Sequence, residues 1–234
     1  MLSIIIPAKD EGDTLPKLFE LLKLQTVSPY EIIIADANST DRTREVALSY
    51  GAMVVGGGLP GPGRNKGAKA ANGDTLLFFD ADVEPRDPQF LEKALNEFKN
   101  MGLDIATCDL VPITSHNTDK FLHLLYNSYA KLCGSKLAHA AGNCIFVKKD
   151  MHDKINGFDE SVIFAEDHSY AMKAAKIGNF GILRSVKLHV STRRFDRDGR
   201  FKTAIKMILA ELHLIFLGPI KHNLFNYTFG YDKK

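Results

Sequence analysis

The segment Leu76–Pro85, LLFFDADVEP, places four apolar residues directly before two carboxylates. The apolar run predicts a buried strand, and Asp80 and Asp82 follow its end. Residues two apart on an extended chain point to the same side, so both carboxylates are expected to face one position. This arrangement favours a bound divalent cation with oxygen ligands. The alternative is that the acids only form a turn and cap the next helix.

The first hundred residues alternate short apolar runs with amphipathic stretches, the pattern of βαβ units around a parallel sheet. Strands are predicted over residues 2–6, 31–35, 52–55 and 75–79. Helices are predicted after a cap at Asp13 or Thr14, after the Ser39-Thr40-Asp41 cluster, over residues 64–72, and from Asp87-Pro88 to about Asn100. The segment Gly56–Gly63, GGGLPGPG, predicts a loop and excludes helix. Ligands bind at the carboxyl ends of strands in such sheets, where the acid pair lies.

Past residue 102 the pattern is less regular and predicts a mixed sheet. Strands are predicted over residues 105–111 and 143–148, and helices over residues 120–132 and 164–176. A last helix over Phe201–Leu217 carries a broad apolar stripe. We therefore predict an α/β fold with one domain over residues 1–200 and an apolar helical tail over residues 201–234.

Composition bounds the function of the 234-residue chain. Thirty basic and 28 acidic residues give a net charge of +2, which argues against nucleic-acid binding. Three cysteines without a CxxC pair favour a reducing cytosol over a disulfide framework or a zinc site. The first residues, MLSIIIPAKDEG, predict a strand and not a signal peptide, and no segment offers about 20 consecutive apolar residues.

Acids near the first two strands are further candidates. Asp36 ends the second strand and either hydrogen-bonds a base or ribose hydroxyl or merely starts a turn. Asp10 and Glu11 follow the first strand and either line a pocket or are solvated loop acids.

Two basic residues, Arg64 and Lys66, follow the glycine-rich segment at a predicted helix N-terminus, a position that favours phosphate. The alternative is ordinary surface charge. The sequence has no GxGxxG after the first strand and no GxxxxGK[ST], so dinucleotide-binding and P-loop interpretations lose their main support.

Two further groups carry ionisable side chains. Glu166 and Asp167 open a helix, where one is a candidate general base, although the helix dipole alone favours acids there. His189 lies in an apolar run and is either a core residue or a metal ligand.

A basic cluster precedes the last helix; it comprises Arg193, Arg194, Arg197, Arg200 and Lys202. The cluster predicts binding of phosphate or an anionic lipid surface, or is a solvated charge run. Together with the stripe over Phe201–Leu217 it is typical of an interfacial anchor. The alternative for that helix is a core or oligomer contact.

Taken together, these segments resemble the family 2 glycosyltransferases, inverting enzymes of the GT-A fold, over about residues 2–195. The resemblance rests on SIIIPAKDE, EIIIADANSTDRT, GPGRNKGAKAANGDTLLFFDADV with its DxD motif, and NGFDE followed by AEDHSYAMKAAKIG. It implies a GT-A, Rossmann-like mixed sheet flanked by helices over residues 1–200.

The resemblance also implies roles for the candidate residues. The nucleotide-sugar would be contacted by Pro7, Ala8, Asp10, Glu11, Asp36, Arg64, Lys66, Asp80 and Ala81. Asp82 would be the principal ligand of Mg²⁺ or Mn²⁺, with Asp80 and His189 as further ligands. Asp167 would be the catalytic base, a role that Glu166 shares or replaces. The family often has a second acid beside position 36, whereas this chain has Ala37.

We therefore expect an inverting transferase that moves a sugar from a nucleotide-sugar, with UDP favoured, to a hydroxyl or a lipid phosphate. Residues 193–217 suggest association with the inner face of a membrane. One alternative is a sugar-1-phosphate nucleotidyltransferase, although that class needs a glycine-rich loop where this chain has PAKDEG. Another is a non-catalytic nucleotide-sugar-binding module. The sugar, the acceptor and the oligomeric state are left open.

Overall fold

The computed structural model of the chain describes residues 1–28 and 30–224. The eight strands in this part of the chain are β1 Leu2–Ala8, β2 Tyr30–Asp36, β3 Met53–Gly56, β4 Thr75–Phe79, β5 Val83–Glu84, β6 Ile105–Ile113, β7 Cys144–Lys148 and β8 Phe180–Ser191. The nine helices there are α1 Leu15–Lys23, α2 Thr43–Ser49, α3 Pro60–Ala70, α4 Phe90–Asn100, α5 Asn117–Cys133, α6 Lys149–Lys154, α7 Glu166–Ala175, α8 Arg193–Asp198 and α9 Arg200–Phe216.

All eight strands form one mixed sheet in the order β3-β2-β1-β4-β7-β6-β8-β5. The first four strands are parallel, and β7 pairs antiparallel with both β4 and β6. Strand β8 runs parallel to β6, and the short β5 closes the far edge against β8. The predicted combination of a parallel half and a less regular half is confirmed.

Apolar strands explain the core. Every residue of β1 and β4 is buried, and a hydrophobic cluster packs on each face of the sheet. Phe79 belongs to one cluster, together with Phe90 of α4, and Phe78 belongs to the other, together with Phe158. A strand covered on both faces is expected to be apolar throughout, as the run before Asp80 is.

The predicted loop over Gly56–Gly63 is wrong in its second half. Helix α3 begins at Pro60, which suits the first helical turn because that position needs no backbone donor. Gly63 packs closely in this helix, since a β-carbon there would lie 3.4 Å from the side chain of Pro7. Arg64 therefore lies one turn inside the helix and not at its N-terminus.

Helix starts differ slightly elsewhere. Thr14 is the N-cap residue of α1, but its side chain makes no capping hydrogen bond. Helix α4 begins at Phe90 because the Asp87 carboxylate first accepts the backbone N–H of Gln89, in a turn that precedes the helix.

The sequence did not predict four elements: β5, which lies between β4 and α4, and α6, β8 and α8 in the second half. Strand β8 mixes charged and apolar residues, and its exposed residues include Arg184 and Lys187. Strand β6 extends two residues beyond its predicted end, to Ile113, through its pairing with β8.

Helix α9 matches the predicted tail helix to within one residue at each end. The chain then returns to the segment before α7, where Ile163 donates its backbone N–H to the carbonyl of Ile220 at 2.9 Å. Residues 225–234 of the predicted tail lie outside the described residues. Within residues 1–28 and 30–224, no helix is both long enough and apolar enough to cross a bilayer.

Candidate active site

Four parallel strands end along one edge of the sheet. Ala8 ends β1 beside Asp36 at the end of β2, and Gly56 ends β3 next to Asp36. Asp80 follows the last residue of β4. The sheet therefore gathers the predicted nucleotide-binding positions at its carboxyl edge, where open α/β sheets bind ligands.

Arg64 joins two of the predicted acids. Its side chain is 3% exposed, and its guanidinium donates to Asp80 at 2.9 Å and to Glu166 at 2.8 Å. The same guanidinium lies 5.5 Å above the ring of Phe158. A buried arginine with two carboxylate partners holds β4 and α7 in a fixed relation, because separating them would leave unpaired charges.

The charged groups around Arg64 shift one another's pKa values. Burial raises the pKa of Asp80, while the positive charge of Arg64 opposes that rise. Burial and the neighbouring Asp167 carboxylate raise the pKa of Glu166. Burial would lower the pKa of Arg64, but the charges of Asp80 and Glu166 reverse the effect and keep the guanidinium charged.

Asp167 has a different environment from Glu166. Its carboxylate accepts the backbone N–H of Gly142 at 2.7 Å and that of His168 at 2.8 Å. Burial would raise the pKa of Asp167, but the positive charges of His168 and Arg64 and the two backbone donors lower it. This carboxylate is therefore ionised and oriented, as a general base must be.

Asp82 pairs with an arginine from the far end of the chain. Arg193 lies 2.9 Å from the Asp82 carboxylate and 3.0 Å from that of Glu11. Burial raises the pKa of Glu11, and Arg193 partly opposes the rise. The structure thus brings the carboxylates of Glu11 and Asp82 together around the guanidinium of Arg193.

Asp36 and Asp10 shape the neighbouring loops. Asp36 is fully buried and accepts from the Arg44 guanidinium at 2.5 Å. Asp10 has a backbone φ of 54° and accepts the backbone N–H of Thr40 at 2.6 Å. Because aspartate tolerates the left-handed region better than most residues, this contact explains an acid at position 10.

Three other predicted residues have mainly structural contacts. Pro7 and Ala81 are buried at the sheet edge, and the Lys66 ammonium donates to the Gly57 carbonyl at 2.6 Å. Lys66 is therefore held by the backbone of the preceding loop.

His189 lies on β8, beside the short strand β5 that follows the acid pair. It pairs with Glu84 across β8 and β5, and its charged neighbours are Arg86 and Glu84. Burial lowers the pKa of His189, which keeps the ring neutral. Its role as a metal ligand stays a prediction.

Sequence reasoning missed two residues that complete the site. Asn143 donates to the second oxygen of Asp80 at 3.0 Å. Gly142 contacts both Asp167 and Arg64, and a β-carbon there would lie 2.3 Å from the Arg64 guanidinium. The dipeptide Gly142-Asn143 before β7 was the available signal, since glycine in such a place often marks a close approach.

Comparison with known proteins settles the family. The model of "Glycosyl transferase family 2" matches residues 3–156, about two thirds of the chain. The chain belongs to glycosyl transferase family 2. An uncharacterized glycosyltransferase of Haemophilus influenzae is 30% identical over 198 residues, which are 77% of this chain and 64% of that protein.

Solved structures of glycosyltransferases are similar to about nine tenths of the chain. The mannosyltransferase PcManGT from Pyrobaculum calidifontis, in complex with GDP-Man and Mn²⁺, matches with a TM-score of 0.70 at 18% identity, over 90% of this chain and 63% of that one. TarS of S. aureus in complex with UDP matches with a TM-score of 0.65 at 18% identity, over 91% of this chain and 65% of that one. The predicted GT-A fold is confirmed, and the chain spans less than two thirds of these relatives.

Proposed function

We propose that this chain is an inverting glycosyltransferase that uses a nucleoside diphosphate sugar. The observation that carries the proposal is the Arg64 bridge, which holds Asp80 at the donor edge and Glu166 on the helix of the candidate base. One guanidinium thus connects the part of the site suited to a leaving group with the part suited to an attacking group.

On the donor side, Asp80 and Asp82 are the residues that would hold Mg²⁺ or Mn²⁺. Their carboxylate oxygens are the donors that such hard cations prefer, and both carboxylates already face cationic side chains. When bound, the cation would neutralise the charge that develops on the diphosphate leaving group. Asp36, buried at the end of β2, would accept a hydrogen bond from the base.

On the acceptor side, Asp167 would remove the proton of the attacking hydroxyl. Its lowered pKa keeps it ionised, and its two backbone contacts fix its direction. The acceptor oxygen then bonds to the anomeric carbon as the bond to the diphosphate oxygen breaks, which inverts that carbon. Glu166 is committed to Arg64 and would keep the guanidinium in place.

The nucleotide can be identified by thermal shift. UDP, GDP, dTDP and CDP would each be tested with and without Mn²⁺, because a ligand that binds the native state raises the melting temperature. We expect UDP with Mn²⁺ to give the largest rise; a larger rise with GDP would replace UDP as the donor nucleotide. No rise with any of the four would contradict the proposal.

Two variants separate donor binding from transfer. We expect Asp82→Asn to weaken Mn²⁺-dependent nucleotide binding, whereas Asp167→Asn should bind the nucleotide normally and lose transfer by about 10³-fold. Calorimetry and sugar release from the donor measure the two effects. Normal transfer by Asp167→Asn would exclude this residue as the base. Pyrophosphate release by the wild-type protein from a nucleoside triphosphate and a sugar phosphate would favour the nucleotidyltransferase.

We also propose that α5 and α9 contact an anionic lipid surface that presents the acceptor. Apolar side chains on both helices are exposed, including Phe121, Leu124, Leu132, Phe201, Ile208 and Phe216. Lys202 and Lys206 lie on α9 among them, a combination typical of interfacial helices. The basic cluster contributes less than its sequence suggests, because Arg193 and Arg200 form ion pairs within the protein.

Flotation with anionic and with zwitterionic liposomes tests this surface. We expect the protein to float with anionic liposomes, and a variant with Phe201, Ile208 and Phe216 changed to serine to stay behind. The matched control changes Leu24, Leu48 and Met101, which are also more than half exposed but lie far from α9 in sequence. A wild-type protein that does not float, or a dimer in sedimentation that the triple variant dissociates, would contradict lipid binding.

A further inference from the structure

Three potential metal ligands meet away from the acid pair. His139 Nε2, His168 Nδ1 and the Glu211 carboxylate offer ligand atoms that all lie within 4.8 Å of one another. Glu211 lies 2.8 Å from His139 Nε2 and 3.5 Å from His168 Nδ1. The three residues come from the loop before β7, from α7 and from α9.

All three ligand side chains are largely buried. The side chain of His139 is 1% exposed and those of His168 and Glu211 are 19% and 16% exposed. The other ring nitrogen of His139, Nδ1, contacts the carbonyl of Leu137. This contact fixes the tautomer and leaves Nε2 to coordinate, as backbone partners of metal-binding histidines usually do.

The carboxylate is also oriented. The Tyr129 hydroxyl donates to Glu211 at 3.1 Å, and the rings of His139 and His168 meet edge to face with centroids 4.8 Å apart. Glu211 is the only acidic residue in α9, whose remaining residues are mostly apolar. A single carboxylate that lies between two imidazoles is not explained by the solubility of the helix, and its position indicates a specific contact.

We propose that His139, His168 and Glu211 form a binding site for a transition-metal ion of the Zn²⁺ class. Two imidazoles and one carboxylate are a donor set that Zn²⁺ accepts, with a fourth position left for water. Ligands around tetrahedral Zn²⁺ lie about 3.3 Å apart, given bonds of about 2.0 Å, so small side-chain movements would suffice. The acid pair at the sheet edge offers only oxygen donors and would select a harder ion.

The ion would fasten α9 to the helix that carries the candidate base. His168 follows Asp167 directly in α7, and α9 has few other polar contacts with that part of the chain in the described residues. Ligands from three separate elements make metal binding stabilise the folded state. The inference does not rest on glycosyl transfer and can hold or fail separately.

The competing interpretation is an ion-pair clamp without metal. In the structure as it stands, Glu211 accepts from His139 and lies near His168, so two protonated imidazoles around one carboxylate would give the same contacts. The two interpretations differ in one respect, which is whether Zn²⁺ adds to the stability of this cluster or leaves it unchanged.

Calorimetric titration with Zn²⁺ distinguishes them. Tag-free, chelator-treated protein carrying Asp82→Asn would be used, so that the acid pair does not contribute. We expect one Zn²⁺ per chain and a raised melting temperature. Glu211→Gln and His139→Ala should each weaken binding by about 100-fold or more, beyond the effect usual for residues outside the ligand shell.

Controls keep the test decisive. His213 lies on the same helix, and its ring contacts the Gly218 carbonyl. His213→Ala should therefore bind Zn²⁺ as tightly as the parent protein, which carries only Asp82→Asn. Glu211→Gln retains the size of the side chain, and circular dichroism would verify its fold. Co²⁺ should give the visible absorption of a tetrahedral site in the parent and not in Glu211→Gln. Equal Zn²⁺ binding by the parent and Glu211→Gln, or no binding by the parent, would overturn the proposal.

Discussion

The two halves of the molecule are built in different ways. In residues 2–100, the amino-terminal region, β1 to β4 are parallel strands joined by helices, and each of them pairs with β1 or β2. The short β5 of this region instead pairs antiparallel with the distant β8. Residues 102–224, the carboxy-terminal region, pair strands across long separations and leave many apolar side chains of α5 and α9 exposed. Under the proposed function, the first region would supply a fixed frame for a nucleotide, and the second would supply a surface for an acceptor.

The candidate site lies where the two regions meet. Arg64 of the amino-terminal region contacts Glu166 of the carboxy-terminal region, and Asn143 reaches back to Asp80. Contacts between the regions are polar at the sheet edge and aromatic behind it, where Phe78 packs edge to face on Phe158. Substitutions at this boundary between the two regions should therefore lower the free energy of unfolding more than substitutions outside it.

Arg64→Met is one of two substitutions for which the largest effect is expected. The change leaves Asp80 and Glu166 without their shared cation, and breaking such a buried pair typically costs about 3–5 kcal/mol of unfolding free energy. Urea denaturation measures it. Arg42→Met, whose side chain is 74% exposed and pairs with Asp13, is the matched control and should cost less than about 1 kcal/mol. Equal losses would mean that Arg64 does not join the two regions.

A pair of phenylalanines sharpens the comparison. Phe78 is fully buried in β4, whereas Phe216 is 77% exposed at the end of α9. Phe78→Ala should lower the unfolding free energy by about 3–5 kcal/mol, and Phe216→Ala by no more than about 0.5 kcal/mol. A large loss for Phe216→Ala, seen in the same denaturation series, would mean that α9 is covered in solution.

The smallest of these effects depends on pH and tests whether water is excluded from the boundary around His152. Burial lowers the pKa of His152, which packs on Phe78, from 6.5 to about 4. Between these values the unfolded chain binds a proton that the folded chain does not, so stability should fall as the pH falls from 6.5 to 4. The full loss is on the order of 3 kcal/mol.

His152→Gln is the comparison variant for this pH effect. Glutamine retains an acceptor for the Tyr170 hydroxyl, which lies 2.9 Å from His152 Nδ1. The free energy of unfolding of the wild type should fall relative to that of the variant as the pH is lowered from 6.5 to 4, because only the wild type contains this imidazole. Carboxylates titrate alike in both proteins, so their contribution cancels in the comparison. A difference that stays constant would show that His152 is hydrated in the folded protein.

The sequence predicted the amino-terminal region better than the carboxy-terminal one for a physical reason. Strands β1 and β4 are buried on both faces, so their sequences are apolar runs with clear ends. Strand β8 contains charged residues on its exposed positions, and its pairing with β6 shifts register after Cys108. The start of α3 was missed because Gly61 and Gly63 argue against helix, while packing against Pro7 favours it.

The candidate site was predictable in its acids and not in their partners. Asp80, Asp82 and Asp167 follow strands or open helices, positions that the sequence marks directly. Asn143 and Arg193 reach them from positions 63 and 111 residues further along the chain. A single sequence carries no local signal for contacts made at such separations.

One of those contacts bears on the order in which the protein assembles. The Arg193 guanidinium meets the Glu11 carboxylate across 182 residues of chain. During synthesis the βα units of the amino-terminal region can fold as they emerge, whereas this ion pair must await almost the last helix. A ribosome-bound fragment that stops before residue 193 would therefore contain the parallel strands of the amino-terminal region but lack the ion pair that Arg193 adds to the candidate active site.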